Sequence, residues 1–320
     1  MLDGLRRTVL AGSALSTKEA IYLSSLEGAE LFRFFSVAGE IREKFRGKKV
    51  DLCAIINAKS GACSEDCSYC AQSSKSLADV PVYPLMGERQ VLEKVREAKE
   101  AGVKRFCIVT GGRKVGKKEL HEISSMIAGV RKIGLLPCAT LGLLDKDELS
   151  FLRDSGLERY HHNLETSEKF FPSICSTHTY ADKVRTIHAA QSAGLSVCSG
   201  GIFGLGESWQ DRIEMASALR ELSVDSIPLN FLIAIKGTPM EGAGPLNPLD
   251  ALKIIGLYRF ILPDKEVRVC GGRRQVLGEF NSMVFMAGAD SLLTGNYLTA
   301  TGTTYEDDLK LIEQYGLETG

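Results

Sequence analysis

Residues 88–110 read ERQVLEKVREAKEAGVKRFCIVT, and what they fold into decides the architecture of the whole chain. Val91, Leu92, Val95 and Ala98 recur at three- and four-residue steps among charged residues, the pattern of a helix with one apolar face. Gly102 stands where a helix C-terminus accommodates a left-handed residue. VKRFCIVT, at 103–110, is strand-length and mostly apolar, as a parallel strand covered on both faces must be.

The unit recurs. ELHEISSMIAGVRKIG (119–134) precedes LLPCATLG (135–142), DKDELSFLRDSG (145–156) precedes LERYHHNLET (157–166), and YADKVRTIHAAQSAG (180–194) precedes LSVCSGGIFG (195–204). SWQDRIEMASALREL (208–222) leads to DSIPLNFLIAI (225–235), PLDALKIIGLYRFILP (248–263) to KEVRVCGG (265–272), and SMVFMAGAD (282–290) to SLLTG (291–295). With VDLCAIINA (50–58) as the first strand, the alternation predicts an α/β protein with a (βα)8 TIM-type barrel. The barrel is expected over residues 49–320 as a single domain, after an N-terminal helical extension over residues 1–48. In such a barrel the active site lies at the C-terminal ends of the strands.

Lys and Arg total 39 against 40 Asp and Glu, a formal net charge of −1. No general field gathers a polyanion, so neither nucleic acid nor a membrane surface is an expected partner. No run approaches the roughly 18 apolar residues of a membrane-spanning helix. Arg6 and Arg7 precede a short apolar stretch, loosely like an export signal, but polar residues interrupt it, and Ser16 with Glu19 has capping-box spacing for a helix. Nine cysteines in 320 residues, an odd number without an export signal, point to a reducing compartment where thiols serve as ligands or nucleophiles. A cytoplasmic protein is expected.

Three of those cysteines sit in CSEDCSYC (63–70), just after the first strand. Zinc sites usually show paired C-x2-C elements that complete a closed tetrahedron, and a thioredoxin-like motif uses two cysteines. Cys63, Cys67 and Cys70 on one loop can instead hold three corners of a four-iron cluster, leaving one iron open to an exogenous ligand. The C-x3-C-x2-C spacing, with Tyr69 before the third cysteine, resembles the signature of the radical S-adenosylmethionine superfamily. The resemblance implies a 4Fe-4S cluster whose open iron is chelated by S-adenosylmethionine. It also implies reductive cleavage of that cofactor to methionine and a 5'-deoxyadenosyl radical that abstracts a substrate hydrogen.

Cys107, Cys138, Cys198 and Cys270 fall one each in the second, third, fifth and seventh strands. A lone strand cysteine is most often a small buried apolar residue. Inward-facing residues of separate strands converge on a barrel axis, however, which makes a second iron–sulfur cluster inside the barrel credible. Cys53 and Cys175 read as structural.

KSGACSEDCSYCAQSS, RFCIVTGG, CATLGLL, YHHNLET, VCSGGIFGLGE, PLNFLIAIKGTPM and VRVCGGR resemble, in this order, segments of the biotin synthase family, from about residue 50 to residue 300. The resemblance implies an auxiliary cluster on Cys107, Cys138 and Cys198 with an arginine, here Arg268, as fourth ligand. Cys270 stands where the family more often has a serine. Strand alternation puts Arg268 and Cys270 on one side, and a thiolate is a better iron ligand than a guanidinium that stays protonated. Cys270 is therefore expected to replace Arg268 on a four-iron auxiliary cluster; the alternative is a two-iron (2Fe-2S) cluster on Arg268.

In YHHNLET, His161 and Glu165 replace the family's more familiar asparagine and aspartate. By resemblance Asn163 and Glu165 reach the ribose hydroxyls of the cofactor, Ile202 contacts its adenine, and Tyr69 belongs to the same site. His161, Asn163 and Asn230 are candidate substrate contacts. Lys183 and Arg185 are candidates for the cofactor carboxylate, with a solvated helix face as the alternative. A metal role for His161 with His162 is not expected, since adjacent strand residues face opposite ways.

The implied reaction is sulfur insertion into dethiobiotin, with a reductant such as flavodoxin or ferredoxin and a homodimeric chain. A hydrogenase-maturase or methylornithine-synthase relative is the nearest rival, which would not be expected to combine the strand cysteines with Asn230. An iron–sulfur electron-transfer protein is the rival of another class, and the barrel pattern speaks against it.

Overall fold

The computed structural model describes residues 1–297 and 302–320. Its strands β1 (Lys49–Lys59), β2 (Arg105–Thr110), β3 (Leu136–Thr140), β4 (Arg159–His161), β5 (Ser196–Cys198), β6 (Gly201–Phe203), β7 (Ser226–Phe231), β8 (Glu266–Val269) and β9 (Ser291–Leu293) all pair in parallel. β1 pairs with β2 on one side and β9 on the other, so the sheet closes into a barrel. β5 and β6 both pair with β7 and form one interrupted stave, giving the eight-stave barrel expected from the repeat. β10 (Glu318–Thr319) adds a short pair to the start of β1.

The interruption falls at Ser199 and Gly200, and at Gly200 and Gly201 the backbones converge too closely for a side chain. A Cβ on Gly200 would lie 2.1 Å from the Pro228 carbonyl oxygen, and one on Gly201 would lie 2.3 Å from that of Glu165. The paired glycines let the segment after β4, the fifth stave and β7 meet at the mouth.

Helices α1 (Leu2–Leu10), α2 (Thr17–Ser24) and α3 (Gly28–Arg46) precede the barrel, and the expected capping box closes on α2 between Ser16 and Glu19. α4 (Glu88–Glu100), α5 (Lys117–Ile133), α6 (Lys146–Asp154), α7 (Tyr180–Ser192), α8 (Trp209–Glu221) and α9 (Pro248–Ile261) alternate with the strands. Gly102, Gly134, Gly156 and Gly194 take positive φ after α4, α5, α6 and α7, as the repeat predicted, whereas Ser223 does so after α8.

Two units depart from the expected pattern. α9 has no polar face: every residue from Ala251 to Ile261 is buried, because α3 packs on its outer side and Phe34 stacks on Phe260 at 5.2 Å. The last unit carries a short α10 (Arg273–Leu277) and a 3-10 turn (Gly278–Met283) in place of a full helix over 282–290, since Gly278, at φ +51, ends α10. α11 (Tyr305–Gln314) follows β9. Among the described residues no helix is long and apolar enough to cross a membrane.

The loop after β1 lies over the strand ends. Ser68 donates its N–H to the Ile174 carbonyl beyond β4, and Leu77 donates to the Gly237 carbonyl beyond β7. Asp66 accepts from the N–H groups of Ser176 and Thr177 at 2.9 and 3.1 Å. The three-cysteine segment is thus tied down on two sides of the mouth.

Candidate active site

A cavity of about 330 Å³ occupies the upper barrel, in the size range of small-ligand sites. Cys53 of β1, Cys107 of β2, Cys138 of β3, Arg268 of β8 and Cys270 just after it line the lower part. Tyr69 and Cys70 of the loop line it from above, with Asn163, Glu165, Ile202 and Asn230 between. His161 lines it too, and Cys198, fully buried, stands behind the His161 ring with its Sγ 3.3 Å from Nδ1 and 3.5 Å from the Ser226 hydroxyl. All nine cysteines are free thiols.

Strand alternation explains the convergence. Arg105, Cys107 and Val109 alternate with Phe106 and Ile108, and the cysteine set faces the axis while the alternate set packs on the helices. By the same rule Cys53 belongs to the interior, between Asp51 and Ile55. Reading it as merely structural overlooked a signal already present in the strand's period.

A charged layer lies one step down each strand from the thiols. Arg159 donates from Nη1 to Glu266 at 3.0 Å, Ser226 donates its hydroxyl to the same carboxylate at 2.8 Å, and Arg268 pairs with Glu266 through Nη2. Arg268 also donates from Nε to the Ser291 hydroxyl at 2.8 Å. Burial alone would raise Glu266, but the charges of Arg268 and Arg159 hold it well below the usual carboxylate range. Among the described residues Arg105 Nε and Nη1 have no hydrogen-bond partner although they are buried.

This field acts on the thiols above. The hydrogen bond from Cys107 draws Cys138 down to about 6, helped by the charges of His161, Arg105 and Arg159, while Cys107 rises in return. Burial would push Cys198 up, but the His161 imidazole beside it reverses the direction. Cys53 is pushed up to about 12 by burial, and burial raises Cys270 as well. An anionic, sulfur-rich group would fit this chamber: the donors are soft thiols, and unsatisfied guanidinium N–H groups lie among the charges beneath them.

At the mouth, Asn163 and Glu165 lie together, with Asn163 Nδ2 donating to Glu165 at 3.3 Å and Oδ1 accepting the Gly200 N–H at 3.1 Å. Glu165 holds φ +75, uncommon for a residue with a side chain. β4 ends at His161, so a bend and not strand continuation brings Asn163 and Glu165 inward. The structure separates the two cations of α7. Lys183 is buried with Nζ 3.9 Å from Glu165, whereas Arg185 is exposed and paired with Asp182, one turn away on the outer surface. Arg185 therefore leaves the candidate set. His162 is buried against Tyr160 and does not line the cavity.

Cys175 is the other residue that sequence reasoning passed over. Its Sγ lies 3.8 Å from that of Cys67 and 3.3 Å from Nδ1 of His178. No local spacing announces this contact, because it joins loops that follow different strands.

Two family models match the chain: the Radical SAM superfamily over residues 58–219 and the Biotin and Thiamin Synthesis associated domain over residues 228–318. A biotin synthase of Thermodesulfovibrio yellowstonii is 57% identical over 296 residues, covering 92% of this chain and 93% of that protein. One of Geobacter metallireducens is 45% identical over 321 residues, covering 100% and 98%. The chain belongs to the biotin synthase family. Membership implies a 4Fe-4S cluster and S-adenosylmethionine as cofactors. Among solved structures, methylornithine synthase superposes with a TM-score of 0.86 at 21% identity, covering 99% of this chain and 97% of that one. A maturase of the FeFe-hydrogenase gives 0.84 at 16% identity, covering 99% and 74%. At those identities the likeness shows the fold alone, so the rivals share the barrel while the extensive sequence identity lies with the biotin synthase family.

Proposed function

We propose that the chain makes biotin from dethiobiotin by inserting sulfur between the methyl and methylene carbons that flank the ring, using sulfur from an auxiliary iron–sulfur cluster. The observation that carries this reading is a thiol-lined chamber directly beneath a three-cysteine loop, in a chain 57% identical to a biotin synthase. Cys63, Cys67 and Cys70 would hold the 4Fe-4S cluster. When bound, that cluster with S-adenosylmethionine would supply one 5'-deoxyadenosyl radical for each of two hydrogen abstractions, the first at C9 and the second at C6.

The chain's own contribution is position and dryness. Asn230 donates from Nδ2 to the Gly201 carbonyl at 3.1 Å and accepts the Gly271 N–H at 3.0 Å, which fixes its amide plane. One N–H and one lone pair remain for the cyclic urea of the substrate. Glu165 and Asn163 present acceptor and donor atoms to the ribose hydroxyls, with Lys183 near the same carboxylate, while Ile202 and Tyr69 offer apolar surface to the cofactor. His161 lies between this mouth and Cys198, where it can face substrate while its imidazole lowers that thiol's pKa.

For the auxiliary cluster we assign Cys107, Cys138, Cys198 and Cys270 as ligands, in a four-iron cluster. The support is that Arg268 has its Nε on Ser291 and its Nη2 on Glu266, so two of its three guanidinium nitrogens are engaged as donors. A protonated guanidinium so engaged is a poor ligand beside a free thiol on the same wall. Residues 49–320 would act as one catalytic domain, with 1–48 as a helical extension packed on α9. A cytoplasmic homodimer reduced by flavodoxin or ferredoxin completes the reading.

The test is anaerobic incubation of reconstituted protein with S-adenosylmethionine, a reductant and dethiobiotin, followed by mass spectrometry. Biotin, with one deoxyadenosine for each abstracted hydrogen, is the expected result. Deoxyadenosine formed regardless of dethiobiotin, with no biotin, would assign another substrate.

A further inference from the structure

Tyr297, just beyond β9, lines the chamber, and the mechanism above gives it no part. Its ring packs against the wall that carries Cys53, Cys107, Cys138 and Cys270, and a Cβ on Gly302 would lie 3.2 Å from its Cζ, so backbone supports the ring from another side. The hydroxyl is buried and has no hydrogen-bond partner among the described residues. A buried donor left unpaired costs stability, so its place on a cavity wall calls for a reason. Cys270, its neighbour on that wall, is not within hydrogen-bond reach and turns its Sγ to the Arg268 carbonyl, 3.7 Å away.

The charged group beside the phenol is Arg273, the first residue of α10. This guanidinium is fully buried and anchored, with Nη2 donating to Asp308 at 2.7 Å and to the Thr303 hydroxyl at 2.9 Å, and Nη1 donating to Asn281 at 3.2 Å. A guanidinium has donors only. Arg273 can therefore give a hydrogen to the phenol oxygen but cannot take the phenol's own, which is left for the chamber. Burial raises the Tyr297 phenol, and the Arg273 charge opposes this more strongly than the Asp308 charge adds to it. An anionic acceptor is favoured there over a neutral one.

We propose that Tyr297 is a substrate-binding residue whose hydroxyl donates a hydrogen bond to the carboxylate of dethiobiotin, and so selects substrates with an anionic tail. This rests on the reading of dethiobiotin as the substrate. That molecule has two polar ends, a cyclic urea and a carboxylate, joined by an alkyl chain. Asn230, with one N–H and one lone pair to spare, is placed for the urea. The carboxylate needs a donor of its own once it enters the barrel, because an unpaired buried charge is costly. Tyr297 supplies that donor from a rigid ring, and its hydrogen has no competing protein acceptor among the described residues.

The experiment is anaerobic equilibrium dialysis of the reconstituted full chain and its Y297F variant, with S-adenosylmethionine present, against two probes. One is dethiobiotin; the other is its decarboxylated analogue, which keeps the cyclic urea but ends in a methyl group. The wild-type chain is expected to prefer dethiobiotin. Y297F is expected to keep its iron content and auxiliary-cluster Mössbauer spectrum, to bind dethiobiotin about tenfold or more weakly, and to bind the analogue as the wild type does. Its KM for dethiobiotin should rise by a larger factor than kcat falls. An equal loss for both probes would assign the hydroxyl to the urea and overturn the proposal. Unchanged dethiobiotin binding in Y297F, with or without a changed Mössbauer spectrum, would overturn it too, while biotin formation by the wild type kept the substrate reading intact. A wild-type chain that bound no dethiobiotin and made no biotin would overturn both.

Discussion

Outward from β2, Phe106 and Ile108 join the apolar layer shared with Val91 and Val95 of α4 and Leu120 and Ile123 of α5. Inward from the same strand, Arg105 and Cys107 face other arginines and thiols. Both sides are buried, so exclusion of water does not distinguish them. The difference is in what the burial is for. Outward residues gain stability from packing at about 25 cal/mol per Å² of apolar surface removed from water. Inward residues give up that gain where a barrel of this type usually stacks branched aliphatics, and in return they keep donors and charges where a cluster and a substrate can be held.

The largest way to break the inner face is to remove a loop thiol. C70A should abolish deoxyadenosine formation and lower the iron content by about four per chain, measured by iron analysis and product assay, while the fold by circular dichroism stays unchanged. C270S comes next, since it should stop biotin formation and change the auxiliary-cluster Mössbauer spectrum while leaving cleavage of S-adenosylmethionine in place. An unchanged spectrum in C270S, with a changed one in R268K, would return the ligand role to Arg268.

The outer face should respond in the opposite sense. Phe34 is fully buried between α3 and α9, and F34A should cost about 3–5 kcal/mol in chemical denaturation without altering either cluster's spectrum. The smallest effect belongs to the solvent side: Arg89 and Glu93 form an exposed pair at 3.4 Å, and R89A should change stability by less than about 0.5 kcal/mol.

Much of the fold was legible because it is written in local periods. The helix–glycine–strand unit repeats through the crossovers of α4 to α7, and the three-cysteine loop is a spacing within eight residues, so neither needs distant partners to be recognised. The burial of α9 was not legible: its apolar residues on all sides make sense only once α3 is seen packed on it. The site divides in the same way. Alternation within each strand put Cys107, Cys138 and Cys270 on the cavity wall and should have put Cys53 there too. Lys183 and Arg185, two residues apart on one helix, could not be told apart until the helix was docked.

The sequence by itself determined the barrel, the family and the inward face of the strands, because each depends on residues that are neighbours in the chain. Only the tertiary structure decided that Glu266 and Ser291 occupy Arg268, that His161 lies against Cys198, and that Cys175 meets Cys67. Those contacts join separate strands and loops, and barrel closure sets their distances. A side chain's partner across a closed sheet depends on stagger and on how each loop folds back, which local spacing does not encode.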